Sequence, residues 1–212
     1  MKSYIYDMRV FRCCLLMVIA TLLACGHKNI VDKSKVVNSG KERSIGRQKK
    51  DKRYIDNLLK DKSNVVVLAK IIGKDKLVKI INSKFPDEVE TTFNLLIDNN
   101  SKKICALEVP FSESGDWFIL YKSYFDDKGK LFAFERQANF FNSGCTKDES
   151  DAAHETLVKY YSNGKLIDST YTLTDSKKRP LVKSKCVFNY DYPYTIIFDW
   201  DTYKKANKIN IP

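Results

Sequence analysis

The sequence predicts a mostly-β domain with an α+β margin: an antiparallel meander of about eight to ten strands with short flanking helices, placed behind a leader and a polar tether. Three observations predict it. Apolar and polar residues alternate through much of residues 91–173, which is the side-chain period of a half-buried strand. Turn chemistry punctuates that alternation at Asn99-Asn100-Ser101, Asp126-Asp127-Lys128-Gly129 and Ser162-Asn163-Gly164. Helical spacing is confined to short stretches at the two ends.

At the N-terminal end, Lys2, Arg9 and Arg12 precede an apolar run over residues 13–23. That is the layout of a secretory signal, and the run is too short to span a bilayer. Leu22, Ala24, Cys25 and Gly26 then follow the pattern of leucine at minus three, a small residue at minus one, cysteine at the cut and a small residue after it. This stretch resembles the lipobox of bacterial lipoproteins, and the resemblance covers about the first twenty-six residues. It implies that the Cys25 thiol takes a diacylglyceryl group, that the signal is cut before it, and that the new amino group is often acylated. At about 0.8 kcal/mol per buried methylene, two or three acyl chains anchor a protein stably. An ordinary signal peptide whose cleavage site includes a cysteine is the alternative. Gly26, His27, Lys28 and Asn29, rather than acidic residues, follow the cysteine, so the expected position is the periplasm-facing side of a bacterial envelope.

Charge is unevenly distributed. The formal net charge is +11, yet residues 26–53 alone hold ten Lys or Arg against Asp32, Glu42 and Asp51. From Tyr54 onward the charges are mixed, so nucleic acid is not an expected partner. The segment to about residue 52 is polar and shows no hydrophobic periodicity, which reads as a flexible tether. Its cations suit anionic headgroups or another envelope polyanion, or serve simply as a soluble spacer. The expected organisation is a signal peptide over 1–24, a lipidated basic tether over 25–53 and a single β-rich domain over 54–212.

Ile55, Leu58 and Leu59 have helical spacing, predicting a short amphipathic helix at 54–60. Residues 65–72 are β-branched and nearly continuous, Gly73-Lys74-Asp75 turns, and 77–81 resumes the apolar run; a hairpin fits, with a buried helix over 65–72 as the rival. Three further hairpins follow, over residues 91–110, 117–141 and 156–173. Asn163-Gly164 is the strongest of their turns, because a type I′ turn needs both central residues at positive φ. In the second, Phe132, Phe134, Ala138 and Phe140 form an apolar row interrupted by Arg136, opposite Leu131, Ala133, Glu135, Gln137 and Asn139. The sheet therefore has one face needing a cover and a more polar face that can meet water. The entry helix, a curl of the sheet, or the C-terminal segment are the candidate covers. That segment reads as strands over 186–190 and 194–198 and a last short helix over 201–208.

The turns of the second and third hairpins share an aromatic pair, a turn and Gly-Lys-Leu: Tyr124-Phe125 to Gly129-Lys130-Leu131, and Tyr160-Tyr161 to Gly164-Lys165-Leu166. This signature resembles MORN-type β-hairpin repeats of bacterial secreted and antitoxin-like proteins. Turn chemistry alone also converges on it.

Motifs for catalysis are sparse. His154 stands among Asp148, Glu149, Asp151 and Glu155, a set that suits a calcium site in chemistry but lacks the EF-hand spacing. Paired zinc ligands, a Gly-x-Ser-x-Gly elbow and a phosphate loop are all missing from the sequence, and no cofactor is expected. Glu135 and Asp168, on mid-strand polar rows, are the carboxylates to test for glycoside cleavage, with surface carboxylates as the plain alternative. Trp117, Tyr121, Tyr124, Tyr160, Tyr161 and Trp200 suit stacking on sugars or peptides, and equally cross-strand packing. Once the signal and Cys25 are set aside, Cys105, Cys145 and Cys186 remain. Cys145 and Cys186 are the expected disulfide pair, with Cys105 buried and free; three unpaired thiols is the other reading. The expected function is a non-catalytic binding or scaffolding domain, held at the membrane by its lipid and meeting a protein or glycan partner. A hydrolase of envelope glycans or peptides, using carboxylates, and an inhibitor or immunity-like protein capping a partner are the two alternatives.

Overall fold

The computed structural model describes residues 33–148, 150–188 and 193–211, with side chains from residue 45. The signal, the lipobox and Cys25, together with Glu149, lie outside the described residues. The chain divides into two compact units, Met1–Asn38 and Ser39–Pro212, and all side-chain contacts below belong to the second.

Eight strands make one antiparallel sheet: β1 (Val65–Ile71), β2 (Val78–Lys79), β3 (Val89–Ile97), β4 (Ile104–Pro110), β5 (Trp117–Phe125), β6 (Leu131–Phe140), β7 (Ala153–Ser162) and β8 (Lys165–Thr174). Their order is β2-β1-β3-β4-β5-β6-β7-β8, so β3 to β8 form a meander and β1 folds back between β2 and β3. The turn residues act as their chemistry requires. Asn163 and Gly164 both have positive φ, 50° and 74°, as a type I′ hairpin needs. In the β5–β6 turn, Asp126 Oδ1 accepts the backbone N–H of Lys128 and of Lys130, both at 2.9 Å.

Both sheet faces are covered. On the first, Leu95, Ala106, Ile119, Phe125, Phe134 and Phe140 meet the C-terminal segment. The described residues of the two strands its β-prone sequence suggests, 186–188 and 194–198, join no strand. Its described parts run across the sheet face: Val187 N–H donates to Ser143 O at 2.7 Å, Phe188 packs on Phe140 with ring centres 4.5 Å apart, and Tyr194 stacks on Phe134 at 5.2 Å. Apolar β-branched and aromatic residues fit a buried surface equally well whether or not they join a ladder. The segment closes with α2 (Trp200–Ala206), whose first turn is capped by Asp199 Oδ1 accepting Thr202 N–H at 3.1 Å. Trp200 N–H donates to Gly129 O at 2.8 Å, which joins the start of the helix to a turn whose glycine has φ 71°.

The second face, expected to meet water, is partly covered by α1 (Lys33–Leu58). This corrects the expectation of a short helix at 54–60 behind a flexible tether: the helix begins at Lys33, inside the basic segment. Ile55 is fully buried against Leu96, Cys105, Tyr124 and Tyr160, with Leu58 and Leu59 beside it. A register shift between Tyr124 and Phe125, opposite Leu131 and Ala133, also alters the predicted rows. Phe132 joins the α1 side, while Leu131 packs with the other core. Arg136, the interruption in the apolar row, is buried in contact with Glu155 of β7. Cys145 and Cys186 are joined by a disulfide with Cα atoms 4.7 Å apart, tying the β6–β7 loop to the start of the C-terminal segment, and Cys105 is free and buried.

Candidate functional site

Glu135 and Asp168 lie on the α1 face, and lysines of α1 meet both. Glu135, 3% exposed, sits between Lys52 and Lys122; the Lys122 ammonium is 3.1 Å away, and Gln137 Nε2 donates to the same carboxylate. Lys52 also reaches Asp56 at 2.8 Å, and the Tyr124 hydroxyl donates to Asp56 at 2.7 Å. One turn earlier in α1, Lys49 contacts Asp168 at 2.9 Å and Gln48 Nε2 donates to Tyr161 O at 2.7 Å. Burial alone would raise the Glu135 carboxyl, but Lys122 and Lys52 overcome it and hold the group below its ordinary value. For Lys52 burial pulls the other way too, and the bonds to Asp56 and Glu135 outweigh it to raise the ammonium. A carboxylate kept ionised by two lysines is poorly suited to act as a general acid. The pair thus serves as the sheet's half of a charged clamp.

Among the described residues, the acidic stretch around His154 does not converge. His154 lies in β7, with Nδ1 2.7 Å from Asn139 Oδ1 and Nε2 3.0 Å from Ser176 Oγ. Asp148 accepts the N–H of Ser150, and Asp151 those of Ala152 and Ser176, so both organise the backbone around them. Glu155 is turned to the opposite face and Arg136. Among the described residues no group of three His, Cys, Asp or Glu is arranged to hold a metal ion. The six aromatic residues singled out for stacking are all buried, Trp117, Tyr121, Tyr161 and Trp200 on the first face and Tyr124 and Tyr160 against α1.

A groove lies on the first face, between β1 to β4 and the C-terminal segment. Its main cleft, about 1070 Å³, is floored by Val66, Leu68, Leu95 and Ile97 and walled by Leu77 and Ile211. That volume is at the upper end for small-molecule sites. Lys76 and Lys79 stand on the rim, exposed and without a salt bridge among the described residues, while the rim's Lys208 pairs with Asp75 at 3.0 Å. A second cleft of about 360 Å³ shares Asp75, Leu77 and Lys208 with the first and reaches Glu108, Tyr121 and Asn207. Glu108 is half-buried; burial pushes its carboxyl up, the hydrogen bond from Tyr203 and the charge of Lys70 pull it back, and the net direction is upward. Lys70 itself is paired with Glu90 at 2.6 Å. The groove therefore offers an apolar trough with a cationic rim at one end and, at the other, a half-buried acid whose carboxyl is pushed up by burial.

Sequence reasoning passed over Glu108. The signal was available: with Ile104, Ala106 and Pro110 it forms one row of β4, an acid on the row that faces the core. Lys76 and Lys79 carry no such signal, because a lysine beside a turn is the commonest kind of surface residue. A scan against protein-family models, a search of curated proteins and a search of solved structures each found nothing that matches this chain.

Proposed function

We propose that the chain is a lipid-anchored bacterial envelope protein, tethered through Cys25 and facing the periplasm, whose folded domain binds an amphiphilic ligand and catalyses no reaction. The observation that carries the reading is the groove: an apolar floor built from Val66, Leu68, Leu95 and Ile97 under a rim bearing Lys76 and Lys79. Such a site suits an acyl or similar apolar chain with an anionic head, the chain desolvated on the floor and the head against the ammonium groups. The two carboxylates best placed in sequence for chemistry are committed to α1, which favours binding over hydrolysis.

A hydrolase of envelope glycans or peptides is the second reading, and Glu108 is the observation in its favour. An acid whose carboxyl is pushed up by burial inside a cleft suits proton donation. The two are separated by titrating the full chain with a long-chain fatty acid carrying an environment-sensitive fluorophore. Binding requires saturable uptake that weakens in Leu77→Asp and in the double variant Lys76→Glu/Lys79→Glu and is unchanged in Glu108→Gln. Absence of saturable uptake, or uptake indifferent to Leu77→Asp, would remove the groove reading. Turnover of envelope glycan or peptide that stops in Glu108→Gln would establish the hydrolase.

A further inference from the structure

We propose that the outward ridge of α1 lies on an anionic lipid surface, so that the helix is the layer between sheet and membrane and the groove opens on the side away from the bilayer. The docked face of the helix is fixed by Gln48, Lys52, Ile55 and Leu59, spaced four, three and four residues apart. The opposite ridge falls on residues 46, 50, 53 and 57, flanked by 47 and 54. Its charged residues are Arg47, Lys50 and Arg53, all exposed, Arg47 with 85% of its side chain in solvent and only a loose 4.0 Å approach to Asp51. The acids of this stretch point elsewhere: Asp51 meets Lys103 at 3.5 Å, and Asp56 meets Lys52 and Tyr124. Among the described side chains of the helix, the acids Asp51 and Asp56 and the lysines Lys49 and Lys52 are engaged by the domain, while Arg47, Lys50 and Arg53 are left facing outward.

The ridge carries no large apolar residue among positions 46, 47, 50, 53 and 57, so its contact would be with headgroups rather than acyl chains. Its affinity is then electrostatic and salt-sensitive. The covalent chain adds a second reason for this occupant. Seven residues lie between Cys25 and Lys33, so the two are eight Cα steps apart, a span of at most roughly 28 Å when extended. A lipid on Cys25 therefore confines the start of α1 to the neighbourhood of the bilayer, where the ridge meets its counter-charge at high effective concentration.

The test must not depend on the lipid, so it uses the full chain carrying Cys25→Ser, mixed with phosphatidylcholine vesicles with or without about a third phosphatidylglycerol. Any uptake through the apolar residues 13–23 is common to both vesicles, and the readout is the ratio of the two partition constants. The parent is expected to favour the anionic vesicles, with the preference collapsing at high salt. The triple variant Arg47→Gln, Lys50→Gln, Arg53→Gln is expected to lose about a hundredfold of that preference, and Lys50→Gln alone about fivefold. A control triple at Lys147, Lys177 and Lys178, exposed cations far along the chain, is expected to keep it. Equal binding of the parent to both vesicles overturns the proposal, and so does a preference that survives in the ridge variant or falls equally in the control.

Discussion

Glu135→Gln tests the charged clamp between α1 and the sheet. In the folded domain Glu135 is 3% exposed and its two lysines are nearly as enclosed, with 12% of the Lys52 side chain and 14% of the Lys122 side chain in solvent. Removing the carboxylate charge strands Lys122, whereas Lys52 keeps Asp56 at 2.8 Å. Breaking one partner of a buried pair costs about 3–5 kcal/mol, and the retained Asp56 contact places this case near 3 kcal/mol. For a domain of this size that lowers the melting temperature by about 6–12 °C. Lys52→Met is milder, about 1–2 kcal/mol, since Lys122 and Gln137 stay on the carboxylate. The double variant should cost less than the sum. Because the folded Glu135 carboxyl is held below its ordinary value, its contribution is complete above the unfolded carboxyl pKa and disappears as pH falls through the folded one. The deficit of Glu135→Gln is therefore present at neutral pH and shrinks on acidification below about pH 4. Denaturant melts across that range supply the energies, and trypsin supplies the geometry: the variant is cut faster after Lys49, Lys50, Lys52 and Arg53 as α1 detaches. A Glu135→Gln protein within about 0.5 kcal/mol of the parent at pH 7, with unchanged trypsin resistance, would refute the clamp.

Three further outcomes are expected. Cys145→Ser opens the link across 41 residues and should cost about 4 kcal/mol on the chain-entropy account, read as a lower denaturation midpoint that reductant reproduces in the parent and not in the variant. His154→Ala loses the contacts to Asn139 and Ser176 and is expected to cost about 1 kcal/mol while fatty-acid uptake is unchanged, since His154 is on the α1 side of the sheet and the groove on the other. Cys25→Ser should release the protein from membranes in cells or leave an uncleaved precursor; a mature-length form still held at the membrane through lipid would contradict the lipobox reading.

The meander was legible because β3 to β8 obey local rules: alternation, Asn163-Gly164 at positive φ, and Asp126 organising its turn. What escaped was the docking of polar surfaces. Upstream of Ile55, α1 meets the sheet through Gln48, Lys49 and Lys52, and a helix face that docks by charge has no apolar stripe, so its sequence is compositionally the same as a disordered linker. Glu135 and Asp168 were noticed as mid-strand acids, yet their partners lie far away in sequence and only the fold joins them. The C-terminal segment misled for a different reason. Phe188 and Tyr194 are half-buried where they pack on Phe140 and Phe134, and the propensity that suggests strands reflects packing rather than ladder hydrogen bonds. The register shift at Tyr124 and Phe125, which exchanges the sides of Leu131 and Phe132, left no local mark either. The groove was beyond reach because its wall residues, Leu77 and Ile211, come from opposite ends of the domain.

The most direct test of the groove is the native mass spectrum of the full protein recovered from the cells that make it. The account predicts an added mass that is present under native conditions, leaves on denaturation, partitions into organic solvent and is absent from Leu77→Asp. Only the unliganded mass, or the same added mass on Leu77→Asp, would contradict it.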